Sequence, residues 1–221
     1  MSLAVAAFLA GRAPARPNPD EGGDETPLHA SLRTMSRAMA QLHPGGAGPG
    51  RWPDVYGFVR AHGHASRVAP LAPDEAAVVA AAAAAALGRH RAFLPQQCFW
   101  NTTQLVIRDR TGRLDYVEGY VGVHGVPVLH AWAEIGGKCV DPTIRPEGDP
   151  TAAGPPPADL PYWGVTVPRA RVLARLVAAG ASGSVLDDRT YDWPLVRGTA
   201  SPEGPFPEYD DAPAGGRRRR P

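Results

Sequence analysis

Three side chains near the middle of the sequence have the types and the order needed for nucleophilic catalysis: Cys98, His130 and Asp141. A thiol attacks a carbonyl group as its thiolate, which the first turn of a helix and a neighbouring imidazolium both stabilise. The imidazole needs a carboxylate or an amide that fixes its tautomer. Because Cys98 stands at the predicted start of a helix, the sequence offers a candidate for each of these roles.

A predicted β-hairpin brings two of these residues together. Gly136 and Gly137 form a two-residue turn signal between two predicted strands. In the register that this turn sets, Trp132 lies opposite Asp141, and His130 is the diagonal neighbour of Asp141 on the same face of the sheet. An aromatic side chain can span that diagonal, so we expect the carboxylate to meet the imidazole.

The second cysteine, Cys139, is a rival nucleophile. It lies on a predicted strand with no helix start to stabilise a thiolate, so we interpret it as a core residue. A zinc site built from both cysteines with His130 and Asp141 is a further alternative by ligand type, but no CxxC or HxxxH spacing supports it. The sequence therefore predicts neither a metal nor a cofactor. Four other histidines fall in predicted loops or helix ends and receive no role: His62, His64, His90 and His124.

The elements that must position these residues begin with helices. Apolar residues recur at intervals of three and four from Leu28 to Leu42, and shorter helices are predicted at Asp54–His62 and Glu75–His90, the latter with Asp74 as its N-cap. The segment from Pro95 to Asp109 is interpreted as a buried helix, although its β-branched residues make a strand a competitor. A last helix from Pro168 to Ala179 is predicted to bury four residues: Val172, Leu173, Leu176 and Val177.

Strands are predicted between and after these helices, from their alternation and from the turns that separate them. They span Leu114–Val123, Val128–Ile135, Lys138–Asp141 and Tyr162–Val167. Three consecutive antiparallel strands after a helix indicate an α+β fold and not a parallel βαβ arrangement.

Length and composition indicate one domain with unstructured ends. A chain of 221 residues can bury a full core, but 25 prolines and 25 glycines must lie in turns, loops or disordered segments. Proline-rich and charged composition predicts disorder at residues 1–27 and 198–221. The single catalytic domain is then expected at 28–197, with its core at 95–145.

Charge and cysteine content exclude several classes of partner. The formal net charge is +1, so nothing global points to nucleic acid or to an anionic membrane. No apolar run is long enough to span a membrane, and the basic tail at Arg217–Arg220 receives no role. Two cysteines are too few for a disulfide framework, and no basic residue precedes the apolar start of the chain, so we expect a cytoplasmic location over secretion.

The order of these motifs resembles the transglutaminase-like superfamily, which shares the papain-like core. The resemblance covers about residues 95 to 145 and rests on four features: Cys98 at a helix start, the strand Tyr116-Val117-Glu118-Gly119-Tyr120, His130-Ala131-Trp132 and Asp141-Pro142-Thr143. It implies an α+β fold in which the helix with the cysteine packs on an antiparallel sheet that carries the histidine and the aspartate.

The resemblance also implies a thiol-dependent hydrolase or acyltransferase. Cys98 would attack an amide or ester carbonyl, His130 would transfer the proton, and Asp141 would orient His130. The acyl-enzyme would then pass to water or to an amine, with a peptide or another amide as the substrate. The alternative function is an inactive binding or scaffold module of the same shape.

One part of the family's pattern is missing from this sequence. Papain-like enzymes place a glutamine about six residues before the cysteine, and that position here is Ala92. Gln96 or Gln97 could serve instead, together with the backbone N–H of Cys98, because an oxyanion hole needs donors and tolerates varied sources. Two aromatic residues are candidates for the walls of a substrate groove: Trp132 and Tyr120.

Overall fold

The computed structural model describes residues 26–42, 54–88, 92–145, 151–180, 182–188 and 193–196. The two segments predicted to be disordered lie outside the described residues, apart from Thr26 and Pro27. Pro27 is the first residue of a helix, which suits a proline because its missing N–H would have no partner in the first turn. Pro27 therefore belongs to a helix and not to the segment predicted to be disordered.

Five helices and five strands make up the described residues, and they confirm the α+β class. The helices are α1 Pro27–Leu42, α2 Val55–His62, α3 Pro73–Leu87, α4 Cys98–Arg108 and α5 Arg169–Ala179. The strands are β1 His64–Ser66, β2 Asp115–Val123, β3 Val126–Ile135, β4 Lys138–Val140 and β5 Tyr162–Val167. They form one antiparallel sheet in the order β1-β5-β2-β3-β4. Within these residues, no helix has the length and apolar character needed to cross a membrane.

The two faces of the sheet carry different cores. The larger core packs against the helices and includes Tyr116, Tyr120 and Ala133 from the sheet. A smaller cluster on the opposite face consists of Val117, Val121, Trp132, Cys139 and Tyr162. We call this second side the Trp132 face. Because successive side chains of a strand alternate between faces, His130 and Asp141 belong to the Trp132 face as well.

The hairpin of β3 and β4 has the predicted register. Ile135 pairs with Lys138, and Ala133 pairs with Val140. Both turn glycines, Gly136 and Gly137, have positive φ angles of 58° and 72°, which a two-residue hairpin turn of this kind requires. The ladder ends one residue earlier than predicted, because Asp141 pairs with Gly154 of the following loop.

Helix α4 settles the competition between helix and strand that the sequence left open. Its β-branched Thr102 and Thr103 are buried, and Thr102 Oγ1 donates to the backbone carbonyl of Ala131 on β3 at 2.9 Å. Burial and this contact therefore outweigh the modest helix propensity of threonine. They also fix the start of α4 beside the strand that carries His130.

Helix α3 begins with a different cap from the one predicted. Ala72 is the N-cap residue, and Pro73 is the first residue of the helix. Asp74 therefore lies inside the first turn, while Glu75 accepts from the Ala72 N–H at 2.7 Å. The same carboxylate pairs with Lys138 Nζ at 2.7 Å, which joins α3 to the β3-β4 hairpin.

Two further predictions were wrong. His64, placed in a loop by the sequence, lies in β1; a strand of three residues is too short to show alternation.

In α5, Val172 is buried, but Leu173 and Val177 are 37% and 81% exposed. The helix contacts the rest of the protein through Arg169, which donates to the carbonyls at the end of α4, and through Arg175, which pairs with Asp188, while Leu173 and Val177 lie on its exposed side.

Candidate active site

His130 and Asp141 form a short, buried hydrogen bond. His130 Nε2 and Asp141 Oδ2 are 2.6 Å apart, and the two residues are 4% and 0% exposed. This is the contact that the hairpin register predicts. Since the ladder stops at Val140, the carboxylate reaches the imidazole from the first residue after β4.

The Asp141 carboxylate has partners on both of its oxygens. Oδ1 accepts from the backbone N–H groups of Thr143 and Ile144 at 2.7 and 2.8 Å, which is the side-chain turn that an Asp-Pro sequence favours. Oδ2 accepts from the Tyr162 hydroxyl at 2.9 Å in addition to His130. A buried carboxylate with four donors is held in one orientation.

The protonation of His130 follows from these surroundings. Burial lowers its pKa, but the charge and the hydrogen bond of Asp141, together with the Cys98 thiol, outweigh burial and raise the pKa to about 9. At neutral pH the ring is therefore an imidazolium with two N–H groups. Because Nε2 donates to Asp141, Nδ1 is the nitrogen left for a second acceptor.

Cys98 lies beside this imidazole. It is the first residue of α4, it is 9% exposed, and its thiol lies close enough to His130 to help raise the pKa of that residue. The first turn of a helix presents unpaired N–H groups and a partial positive charge, which favour a thiolate. The structure thus brings together all three residues that the sequence nominated.

Asn101, one turn along α4, joins the segments on either side of this set. Its Oδ1 accepts from the Leu94 N–H at 3.0 Å, and its Nδ2 donates to the Leu94 carbonyl at 2.7 Å and to Thr143 Oγ1 at 3.0 Å. Leu94 precedes Cys98, and Thr143 follows Asp141. Sequence reasoning missed this residue, although a side-chain amide in a helix predicted to be buried signals a hydrogen-bonded role.

The predicted oxyanion donors, Gln96 and Gln97, directly precede Cys98 in the sequence and have exposed side chains. Gln96 and Gln97 are both exposed, and Gln96 has a φ of 58°, a left-handed conformation that is uncommon outside glycine. Gln97 is the N-cap residue of α4 and makes no side-chain cap hydrogen bond. The Cys98 N–H lies in the first turn of the helix, where it needs no partner within the helix.

The two aromatic candidates for a groove wall occupy different places. Trp132 is fully buried, its Nε1 donates to Ser66 Oγ at 2.7 Å, and its ring lies nearly parallel to that of His130 with centroids 6.3 Å apart. Tyr120 lies on the opposite face of the sheet from His130 and stacks on Tyr56 at 4.9 Å. Trp132 therefore supports the histidine from within the core, and Tyr120 does not contact it.

A second polar cluster lies behind Trp132 and was missed by the sequence. Glu134 interacts with His64 Nε2 at 3.0 Å and accepts a short hydrogen bond from Ser66. Ser66 in turn accepts from Trp132, so the cluster fixes the indole that lies beside His130. The only sequence signal is a carboxylate at an inward position of β3, since β1 was not predicted.

Cys139 differs from Cys98 in the features that favour reactivity. It is fully buried in a strand, and burial together with the nearby charges of Asp141 and Glu134 raises its pKa far above the usual range.

In the part of the chain that the structure describes, no three His, Cys, Asp or Glu side chains are grouped so as to hold a metal ion. The zinc alternative therefore has no cluster of ligands among these residues.

Comparisons of the chain with protein-family models, with curated proteins and with solved structures give no match.

Proposed function

We propose that this protein is a cysteine-nucleophile hydrolase or acyltransferase with a papain-like, transglutaminase-like core. One observation carries the proposal: a buried carboxylate hydrogen-bonds His130 at 2.6 Å, and the thiol at the start of α4 lies near enough to the same histidine to raise its pKa. A structural histidine needs no such pair of partners, whereas a nucleophile, a base and an orienting group need this order. The elevated pKa of His130, about 9, supports an imidazolium beside the thiol at neutral pH.

The proposed reaction begins with attack of the Cys98 sulfur on the carbonyl carbon of an amide or ester. The sulfur–carbon bond forms as the carbonyl π electrons move to oxygen, and the tetrahedral intermediate then expels the amine or alcohol. His130 gives its Nδ1 proton to that leaving group. The product is a thioester on Cys98 and a neutral imidazole, whose orientation Asp141 maintains.

The second half of the reaction uses the same histidine as a base. Neutral His130 takes a proton from water or from an amine as that group attacks the thioester carbon. Collapse of the second intermediate releases the acid or the new amide and restores the thiolate and the imidazolium. Water gives hydrolysis, and an amine gives acyl transfer.

The developing oxyanion requires donors near Cys98. The Cys98 backbone N–H is the first of these, because it lies in the first turn of α4 without a helical partner. The side chains of Gln96 and Gln97 are exposed and directly precede Cys98 in the sequence. They are proposed as the second donor.

Alkylation with iodoacetamide, followed by peptide mapping, tests this proposal with an internal control. Cys98 should react faster than a free thiol at about pH 6, and Cys139 should stay unmodified in the folded protein. The His130→Ala variant should slow the Cys98 reaction by an order of magnitude or more. If Cys98 reacts no faster than a free thiol, or if His130→Ala leaves its rate unchanged, the proposed enzyme function fails and the inactive binding module becomes the favoured alternative.

A further inference from the structure

Asp141 Oδ2 is shared by two donors of different chemistry. His130 Nε2 lies 2.6 Å from this oxygen, and the Tyr162 hydroxyl lies 2.9 Å from it. The two backbone donors, from Thr143 and Ile144, bind the other oxygen. Tyr162 is thus the only side chain, among the described residues, that competes directly with His130 for the same carboxylate oxygen.

Tyr162 is held in place by the sheet and by its ring contacts. It pairs with Ser66 on one side and with Val121 on the other, so its backbone cannot move independently. Its ring packs edge-on against Trp132 at 5.1 Å and lies 6.2 Å from the His130 ring. The hydroxyl therefore reaches Asp141 from a rigid strand, which is the support that a precise hydrogen bond requires.

The Tyr162 hydroxyl acts only as a donor to this carboxylate. Burial and the negative charge of Asp141 raise the pKa of Tyr162 far above its usual range, so the protonated phenol is the donor in this hydrogen bond. A hydrogen bond donated to a carboxylate oxygen withdraws part of its charge. Less charge then remains to hold the proton of the imidazolium.

We propose that Tyr162 is a positioning residue of the proposed active site, whose hydroxyl fixes Asp141 and limits how strongly His130 holds its proton. This inference rests on the proposed function, in which His130 must give up that proton and take another in each cycle. A histidine paired with an unshared carboxylate would hold its proton more tightly and would be a poorer acid. The titratable groups around His130 are Asp141, Cys98 and Tyr162, with Glu134 and Cys139 farther along the same face.

The test is the titration of His130, followed through its Cε1 proton by NMR in the full-length protein. In Tyr162→Phe the pKa of His130 should rise by about half a unit or more, because the carboxylate loses a competing donor. Tyr120→Phe is the matched control: a buried tyrosine of the same sheet on the opposite face, whose loss should leave the titration unchanged. An unchanged or lowered pKa in Tyr162→Phe overturns the proposal.

A second variant guards against loss of the fold in Tyr162→Phe. 3-Fluorotyrosine placed at position 162 keeps the ring and the hydroxyl but makes the phenol a stronger donor. The His130 pKa should then fall below that of the unmodified protein, and a rise overturns the inference. The titration of His130 does not depend on turnover. If Cys98 proved unreactive, the proposed function would fail, but the opposite pKa shifts of His130 in the phenylalanine and 3-fluorotyrosine proteins would still decide the role of Tyr162.

Discussion

Asn101 hydrogen-bonds both backbone groups of Leu94, with distances of 3.0 Å to the N–H and 2.7 Å to the carbonyl. The same amide donates to Thr143, inside the turn that begins at Asp141. One buried side chain therefore joins the segment before the nucleophile, the helix that carries it and the turn that holds the orienting carboxylate. The distance between the Cys98 thiol and the His130 imidazole should therefore depend on the hydrogen bonds of Asn101.

Replacing Asn101 by alanine should lower both stability and thiol reactivity. The variant would lose three part-buried hydrogen bonds, two to the Leu94 backbone and one to Thr143, at a cost of about 1–3 kcal/mol in the free energy of unfolding. The segment before Cys98 would also lose its fixed place relative to His130, so alkylation of Cys98 should slow. Urea denaturation and the rate of iodoacetamide labelling measure the two effects.

Two further variants sharpen the Asn101 test. Asn101→Asp should cost at least as much as alanine, because a second carboxylate oxygen would face the Leu94 carbonyl. Gln104→Ala, at a half-buried position of the same helix, should leave both measurements close to wild type. A normal labelling rate in Asn101→Ala would contradict the positioning role of this residue.

The stability of the protein should fall as the pH rises from about 6.5 to about 9. The pKa of His130 is about 9 in the folded state against an ordinary value of 6.5, so the folded protein binds the extra proton throughout that range. The charged pair with Asp141 therefore stabilises fully below pH 6.5, and this contribution, about 3 kcal/mol, is lost by the time the pH passes 9. Urea denaturation at several pH values should show the decline, and His130→Gln should flatten it.

The buried carboxyl group of Glu118 predicts a second decrease in stability with rising pH, in a lower pH range than that of His130. This carboxyl is fully buried, and it accepts from the Val185 and Leu186 N–H groups at 2.8 and 3.0 Å and from Ser184 and Tyr116. Burial raises its pKa and outweighs these four donors, which lower it, so that the value is about 7 against an ordinary 4.5. The folded state therefore keeps a proton that the unfolded chain releases.

The free energy of unfolding should accordingly decrease by about 3 kcal/mol as the pH rises from 4.5 through 7. Glu118→Gln cannot ionise, so the stability of the wild type relative to this variant should fall by about 3 kcal/mol across that range. Denaturation of both proteins at pH 4.5, 6 and 7.5 gives the comparison. Parallel curves for the two proteins would show that Glu118 does not titrate in this window.

The sequence predicts the local part of the site well. His130 and Asp141 are 11 residues apart within one hairpin, and two glycines with a defined turn geometry set the parity of both strands. Contacts between distant segments could not be predicted in this way. Tyr162 reaches Asp141 from β5, on the far side of β2, and no periodicity in a single strand states which strands become its neighbours.

Glu118 shows the same division between local and distant information. A carboxylate in the middle of an apolar strand signals that something must pair with it. One of its four donors, the Tyr116 hydroxyl, is local, but the other three are Ser184 and the backbone N–H groups of Val185 and Leu186, 66 to 68 residues away. A backbone donor has no identity in the sequence, so the need could be predicted but the partner could not.

Gly119 is the position where a single methyl group should most directly disturb the sheet beneath the site. It lies opposite His130 on β3 and opposite Gly164 on β5. A Cβ at this position would overlap the carbonyl oxygen of Trp163 and the Cα of Gly164. Both are backbone atoms of the neighbouring strand, so β5 itself would have to move away from β2.

We expect Gly119→Ala to lower the free energy of unfolding by about 1–3 kcal/mol or more, because overpacking against backbone cannot be relieved by a rotamer change. Movement of β5 would also carry Tyr162 away from Asp141, so the His130 titration should change together with the stability.

Gly154→Ala is the matched control. Gly154 pairs with Asp141, yet a Cβ there meets no atom within 4 Å, so its stability should stay within about 0.5 kcal/mol of wild type. Equal stabilities for the two variants, measured by urea denaturation, would contradict the close approach of β2 and β5 at Gly119.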